Sequence, residues 1–150
     1  MHINPDHYLQ TEMGRVITPE RNQKAWQCCF QALQHALSLP TLRNAYLLIG
    51  CQGSGKSTWA KQHLIAHPHD LIFDAILVKK SERQPILQHI NLAKVPCIAV
   101  WFQTPLDMCL ARNAQRPLDE QVHQQALHNV YHALEAPSLD EGFQAIHCHK

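Results

Sequence analysis

Four apolar runs punctuate the chain: Ala45 to Gly50 (AYLLIG), Leu71 to Asp74 (LIFD), Pro96 to Phe102 (PCIAVWF) and Phe143 to His147 (FQAIH). Short continuous runs of this kind predict strands covered on both faces, as in parallel sheets. The intervening segments carry apolar residues three and four apart. Thr18-Pro19-Glu20 predicts a helix start, with Thr as cap and Pro at the first helical position. That helix runs to about Leu39, with Ala25, Trp26, Cys29, Phe30, Leu33, Ala36 and Leu37 on one face. Further helices are predicted from Lys56 to Ala66, from Glu82 to Leu92 and from Pro105 to Asn113. A long last helix is expected from Asp119 to Glu135, with Val122, Ala126, Val130, Ala133 and Leu134 inward. Ahead of all of these, His2-Ile3-Asn4 is extended, and a loop with Gly14 and Arg15 follows. Strands alternating with helices predict an α/β domain with a mostly parallel sheet.

Composition narrows this picture. The 150 residues suit one domain (1–150) with its own core, and 45% hydrophobic with 17% charged residues excludes disordered, collagen-like and coiled-coil chains. A formal charge of +1 gives no broad basic field for non-specific nucleic-acid binding. The 12 His residues are the oddity, since they turn the balance cationic below about pH 6.5. Six Cys without a C-x-x-C pair read as reduced thiols, and the start MHINPDHYLQ lacks a basic, apolar leader. No run approaches the roughly 20 apolar residues of a membrane span. The expected setting is cytoplasmic, with no membrane partner.

Gly50-Cys51-Gln52-Gly53-Ser54-Gly55-Lys56-Ser57-Thr58 fits G-x-x-x-x-G-K-[ST], and it lies between a buried strand and a helix, as its chemistry requires. Glycines let successive N–H groups point at phosphate oxygens, and the helix N-terminus adds its positive end. Lys56 is then expected on the β- and γ-phosphates and Ser57 on Mg²⁺. Asp74 closes an apolar strand, where a carboxylate serves as a Mg²⁺ ligand, directly or through water. Asp6 follows another strand end, in INPD, and at the carboxyl edge of the same sheet it can accept a hydroxyl proton. Arg112 and Arg116, four apart on one helix face, suit charge on a moving phosphoryl group. His147-Cys148-His149 places alternate residues on one strand face without a signposted third metal ligand. His63 and His67 read as a surface pair, and Met13, Met108 and the three Trp as core or loop packing.

Together IGCQGSGKSTWAK, LIFDA with SERQPIL, VPCIAVWFQTPLDMCLARNAQRP and APSLDEGF resemble, in order over residues 45–147, the polynucleotide kinase and zeta-toxin-like P-loop kinases, the AAA_33-type group. The resemblance implies a three-layer P-loop NTPase fold with a five-stranded sheet, ATP and Mg²⁺ as cofactors, and Asp6 as general base. It implies that Arg112 and Arg116 are lid arginines, and it matches Arg83, two residues offset, to an Arg on the helix after the Asp strand. The family places a second strand ending in Asp, and a helix, after the P-loop helix. Here residues 61–70 leave no room for them, and the N-terminal INPDHYLQTEMGRVITPERNQKAWQCCFQALQHAL resembles that unit. A rearranged order follows: residues 1–44 are the moved unit carrying Asp6, and 45–150 hold the P-loop, Asp strand, lid and last strand. The expected spatial order of strands is 2–4, 71–74, 45–50, 97–102, 143–147. Polynucleotide kinases carry Arg three residues after the catalytic Asp, where this chain has Leu9. A long nucleic acid is therefore not the expected acceptor. A 5′-hydroxyl end, a nucleoside or a small alcohol fits better. The implied activity is transfer of the ATP γ-phosphate to a hydroxyl. The alternative is a nucleotide-binding or NTP-hydrolysing regulatory module without an acceptor. Acceptor, GTP against ATP, and oligomeric state stay open.

Overall fold

The computed structural model describes residues 1–150. The chain opens with β1 (His2–Ile3) and a 3-10 turn, Pro5–Tyr8. A small antiparallel ribbon follows, β2 (Gln10–Thr11) and β3 (Gly14–Arg15), where a loop was expected. Gly14 makes its turn at φ +104°. Then come α1 (Pro19–Leu37), β4 (Ala45–Ile49), α2 (Lys56–Ala66), β5 (Leu71–Asp74), α3 (Lys80–Leu92) and β6 (Cys97–Phe102). The chain finishes with α4 (Leu106–Ala114), α5 (Gln124–Ala133) and β7 (Ala145–His149).

The five longer-range strands form one parallel sheet in the order β1-β5-β4-β6-β7. This is a doubly covered P-loop-type α/β sheet. Its edge strand is the first in sequence and lies beside β5, in the order expected above. Alternation along each strand sorts the core. Ala45, Leu47, Ile49, Leu71, Phe73, Cys97 and Ala99 face α1 and α3, where Cys29, Leu33, Ala36, Ile86, Leu87 and Ile90 meet them. Leu48, Ile72, Val100 and Phe102 face α2 through Ala60, with Trp59 and Tyr46 alongside. A third, smaller cluster joins Cys51 to Cys109 of α4 and Leu127 of α5. No helix is long and apolar enough to cross a membrane.

Local chemistry explains the boundaries. Thr18 Oγ1 accepts the Arg21 N–H at 3.1 Å, which caps α1 as expected. The Glu82 carboxylate accepts the Val78 N–H at 2.9 Å, and α3 begins two residues earlier than the apolar pattern suggested. The long helix expected over 119–135 does not form. Leu118–Glu120 is a 3-10 turn, and α5 starts only at Gln124. The cause is Asn113: its side-chain amide donates to Val122 O at 2.7 Å and accepts the Val122 N–H at 2.9 Å. Those bonds satisfy the Val122 backbone outside a helix, so the chain stays extended there. In α5 only Leu127 is fully buried, while Ala126 and Ala133, expected inward, face solvent. The last strand is also two residues late. Gly142, at φ +114°, ends a 3-10 turn and sends Phe143 into the core before pairing begins at Ala145.

Candidate functional site

The carboxyl ends of β1, β4, β5 and β6 lie at one edge of the sheet, where ligands bind in open parallel sheets. A cavity of about 830 Å³ opens there. It brings together Asp6, residues 51–58 of the glycine-rich loop, Asp74, Arg112 and Arg116, which lie far apart in the chain. Gly50, the first residue of the motif, is packed behind it: a Cβ there would stand 2.7 Å from Ser54 Oγ and 2.8 Å from Phe102 Cβ.

The loop is held from beneath. Gly53 turns at φ +77°, and a Cβ on it would meet the Cys109 carbonyl oxygen at 2.6 Å. The Thr104 hydroxyl donates to Ser54 O at 2.8 Å, and Arg112 Nη1 donates to Gly53 O at 3.2 Å. Lys56 heads α2 and folds back over the loop, donating to Gly50 O at 2.7 Å and Cys51 O at 3.2 Å. Burial pushes the Lys56 ammonium below the usual lysine range. Asp74 opposes that push, and the nearby Arg116 charge adds to it. Such an ammonium has a strong demand for anionic oxygens.

Asp74 is 2% exposed. Its Oδ2 receives three groups: the Ser57 hydroxyl at 3.0 Å, the Asn4 amide at 3.3 Å and the His2 ring nitrogen at 3.1 Å. Burial alone would raise the carboxyl. The His2 hydrogen bond, the Lys56 charge and the Ser57 hydroxyl outweigh it and hold Asp74 below the usual carboxylate range. Asp6 lies across the cavity with its side chain 47% exposed, and Arg15 Nη1 approaches Asp6 Oδ2 at 3.4 Å.

Residues 64–137 match the AAA_33 family, an AAA domain. The match supports a nucleotide-binding P-loop domain of the kinase-like group, and it spans Asp74, Arg112 and Arg116. The glycine-rich loop and Asp6 lie ahead of it in sequence. No curated protein matches the chain.

Several site residues escaped the sequence reading. His2 and Asn4 reach Asp74 only because β1 pairs with β5, in the register His2↔Ile72 and Ile3↔Phe73. The N-x-D spacing was visible, but its partner lay seventy residues away. Arg15 is the third. Beside its contact with Asp6, its N–H donates to Asp119 Oδ2 at 2.7 Å, and Nη2 lies 3.9 Å from Glu120. It thereby joins the N-terminal ribbon to the segment after α4. Arg83 is not part of the cavity. It is fully buried in a two-pronged pair with Glu141, at 2.7 and 3.1 Å, and also donates to Leu77 O and Glu135 O. Nor are His63 and His67 a plain surface pair. His63 bonds Asp70 at 2.9 Å and stacks on Trp59 at 4.7 Å, while the His67 ring lies tilted against His63 at 4.7 Å.

Proposed function

We propose that the chain is an ATP-dependent phosphotransferase that moves the γ-phosphate to a hydroxyl of an acceptor. The observation that carries this reading is the convergence of Asp6 and Asp74 on the cavity floored by the glycine-rich loop. Residues 51–58 receive the phosphates on backbone N–H groups. Lys56 gives up its two carbonyl partners for phosphate oxygens. The Ser57 hydroxyl and Asp74 carboxylate are hard oxygen donors 3.0 Å apart, a set that suits Mg²⁺ completed by phosphate and water. Ser57 and Asp74 would hold the ion, which would supply positive charge against the phosphates. Asp6 accepts the acceptor's proton. Arg112 and Arg116 offset charge that builds on the transferring group.

The parallel pairing of β1 with β5 also supports reading residues 1–44 as a strand–helix unit moved ahead of the P-loop unit. Within this reading the acceptor is a small molecule, a nucleoside or a 5′-hydroxyl end, in a cytoplasmic setting.

ATP consumption against a panel of hydroxyl compounds tests the proposal. Asp6→Asn is expected to abolish acceptor phosphorylation while sparing nucleotide binding. Lys56→Ala is expected to lose both nucleotide affinity and turnover. Full activity in Lys56→Ala would overturn the reading. A second reading is a nucleotide-hydrolysing module without an acceptor. The ion pair between Arg15 and Asp6 favours it, because it gives Asp6 a partner other than an acceptor hydroxyl. In that case hydrolysis ignores every acceptor and Asp6→Asn changes nothing.

A further inference from the structure

The glycine-rich loop contains a thiol that phosphate binding does not use. Cys51 is 4% exposed and lines the cavity, and its Sγ lies 3.3 Å from the Sγ of Cys109 on α4. The backbones behind these sulfurs are already packed together, since a Cβ on Gly53 would stand 3.2 Å from Cys109 Cα. A disulfide needs about 2.05 Å between sulfurs, so the pair must close by roughly 1.2 Å. All six cysteines are free thiols, and no other two are bonded to one another as these are.

The two sulfurs differ in character. The Cys109 thiol hydrogen bond lowers Cys51 to about 7; burial opposes the change, and the Lys56 charge reinforces it. Cys109 moves up, because it holds the shared proton and is buried. Burial pushes Cys29 and Cys97 up to about 12, which leaves them inert.

We propose that Cys51 is a peroxide-reactive thiol inside the phosphate loop, that Cys109 resolves it, and that the resulting bridge to α4 closes the loop to nucleotide. The chemistry stands on the sulfur pair alone, and its consequence rests on the nucleotide-binding reading above. The Cys51 thiolate attacks one peroxide oxygen. The O–O bond breaks, and the departing hydroxide takes a proton and leaves as water. Cys51 then carries a sulfenic hydroxyl. Cys109 sulfur attacks that sulfur, the S–S bond forms, and the hydroxyl leaves with the Cys109 proton as a second water. Two thiols are oxidised and one peroxide is reduced. The bridge draws Cys51 towards α4, away from the path its N–H group follows around a phosphate.

The experiment treats the full chain with hydrogen peroxide, maps each thiol by peptide mass spectrometry and titrates a fluorescent ATP analogue. Exposed Cys148 serves as the internal reference for oxidation. The expected result is a Cys51–Cys109 disulfide, reversed by dithiothreitol. Nucleotide binding should weaken by about tenfold or more and recover on reduction. Cys109→Ser and Cys109→Ala should bind nucleotide normally when reduced, form no bridge, and leave a trappable sulfenic acid on Cys51. Cys51 and Cys109 surviving as thiols while Cys148 oxidises would overturn the proposal. So would a bridge that leaves nucleotide affinity unchanged. If the reduced chain binds no nucleotide, the functional reading fails, while the peptide map still decides the sulfur chemistry.

Discussion

The Asn4 side chain donates to Asp74 Oδ2 at 3.3 Å, and its own Oδ1 accepts the Asp6 N–H at 2.9 Å. One buried amide therefore ties Asp74 to the backbone of the turn that carries Asp6.

Replacing Asn4 by Ala removes a donor from a buried carboxylate and the cap of the turn that carries Asp6. A buried group left short of a partner costs about 1–3 kcal/mol. Asn4→Ala should lower unfolding stability by that order in denaturant titration. It should also reduce acceptor-dependent turnover more than nucleotide affinity.

Arg15 ties Asp6 to the turn at Asp119 and Glu120. Arg15→Gln should alter the acceptor-dependent rate while isothermal titration finds nucleotide affinity within about threefold of wild type. A loss confined to nucleotide affinity would count against the assigned place of Arg15. The side chains of its partners Asp6 and Glu120 are 47% and 34% exposed, so the stability cost is small, about 1 kcal/mol or less.

Gly53 tests the loop directly. Its φ of +77° disfavours any L side chain, and a Cβ would press on the Cys109 carbonyl from 2.6 Å. Gly53→Ala should fold yet bind nucleotide at least about tenfold more weakly, since strain of 1–3 kcal/mol must be relieved by moving the loop.

Arg83 makes the opposite case. Arg83→Met leaves Glu141 buried without its partner, at a cost of about 3–5 kcal/mol. A large drop in Tm is expected, with nucleotide affinity of the folded protein unchanged. The sequence resemblance matched Arg83, two residues offset, to an Arg on the helix after the Asp strand, and the structure buries it against Glu141 away from the cavity. A guanidinium at the start of a helix after a strand serves a structural pair as readily as a phosphate.

What was legible in the sequence was whatever is encoded locally. The runs at 45–49 and 71–74, the cap at Thr18 and the Gly-Lys-Ser turn each carry their own instructions within a few residues. Strand order came through the family resemblance, which matched the N-terminal segment to the strand and helix that residues 61–70 leave no room for. The segment from Pro117 to His123 was not, because Asn113 satisfies the Val122 backbone from outside. Likewise His2 and Arg15 had no local signal; each gains its role from a partner more than sixty positions away. Part of the His excess acquires a reason here, in His2 on Asp74 and His63 on Asp70.

Two buried charges each make stability rise with pH, in different pH ranges. Asp74 titrates below its ordinary value in the fold, so its stabilisation is fully present above about pH 4 and is lost as pH falls through the lowered value. Denaturant unfolding followed towards pH 2 should show a loss that Asp74→Asn reduces. Lys56 is also lowered, and its charged form is the one that the fold disfavours. Its cost is present at neutral pH and shrinks as pH rises towards the ordinary lysine value. Lys56→Met should therefore stabilise the nucleotide-free protein at neutral pH, by an amount that vanishes in strong base.

The place of β1 at the sheet edge sets a timetable for synthesis. It is made first, yet its only neighbour, β5, begins at Leu71. At roughly 5–20 residues per second, several seconds separate the two. During that interval α1 carries Cys29, Leu33 and Ala36 with no sheet to cover them. The half of the cavity that holds Asp6 therefore waits, unfinished, for β5 and the Asp74 at its end.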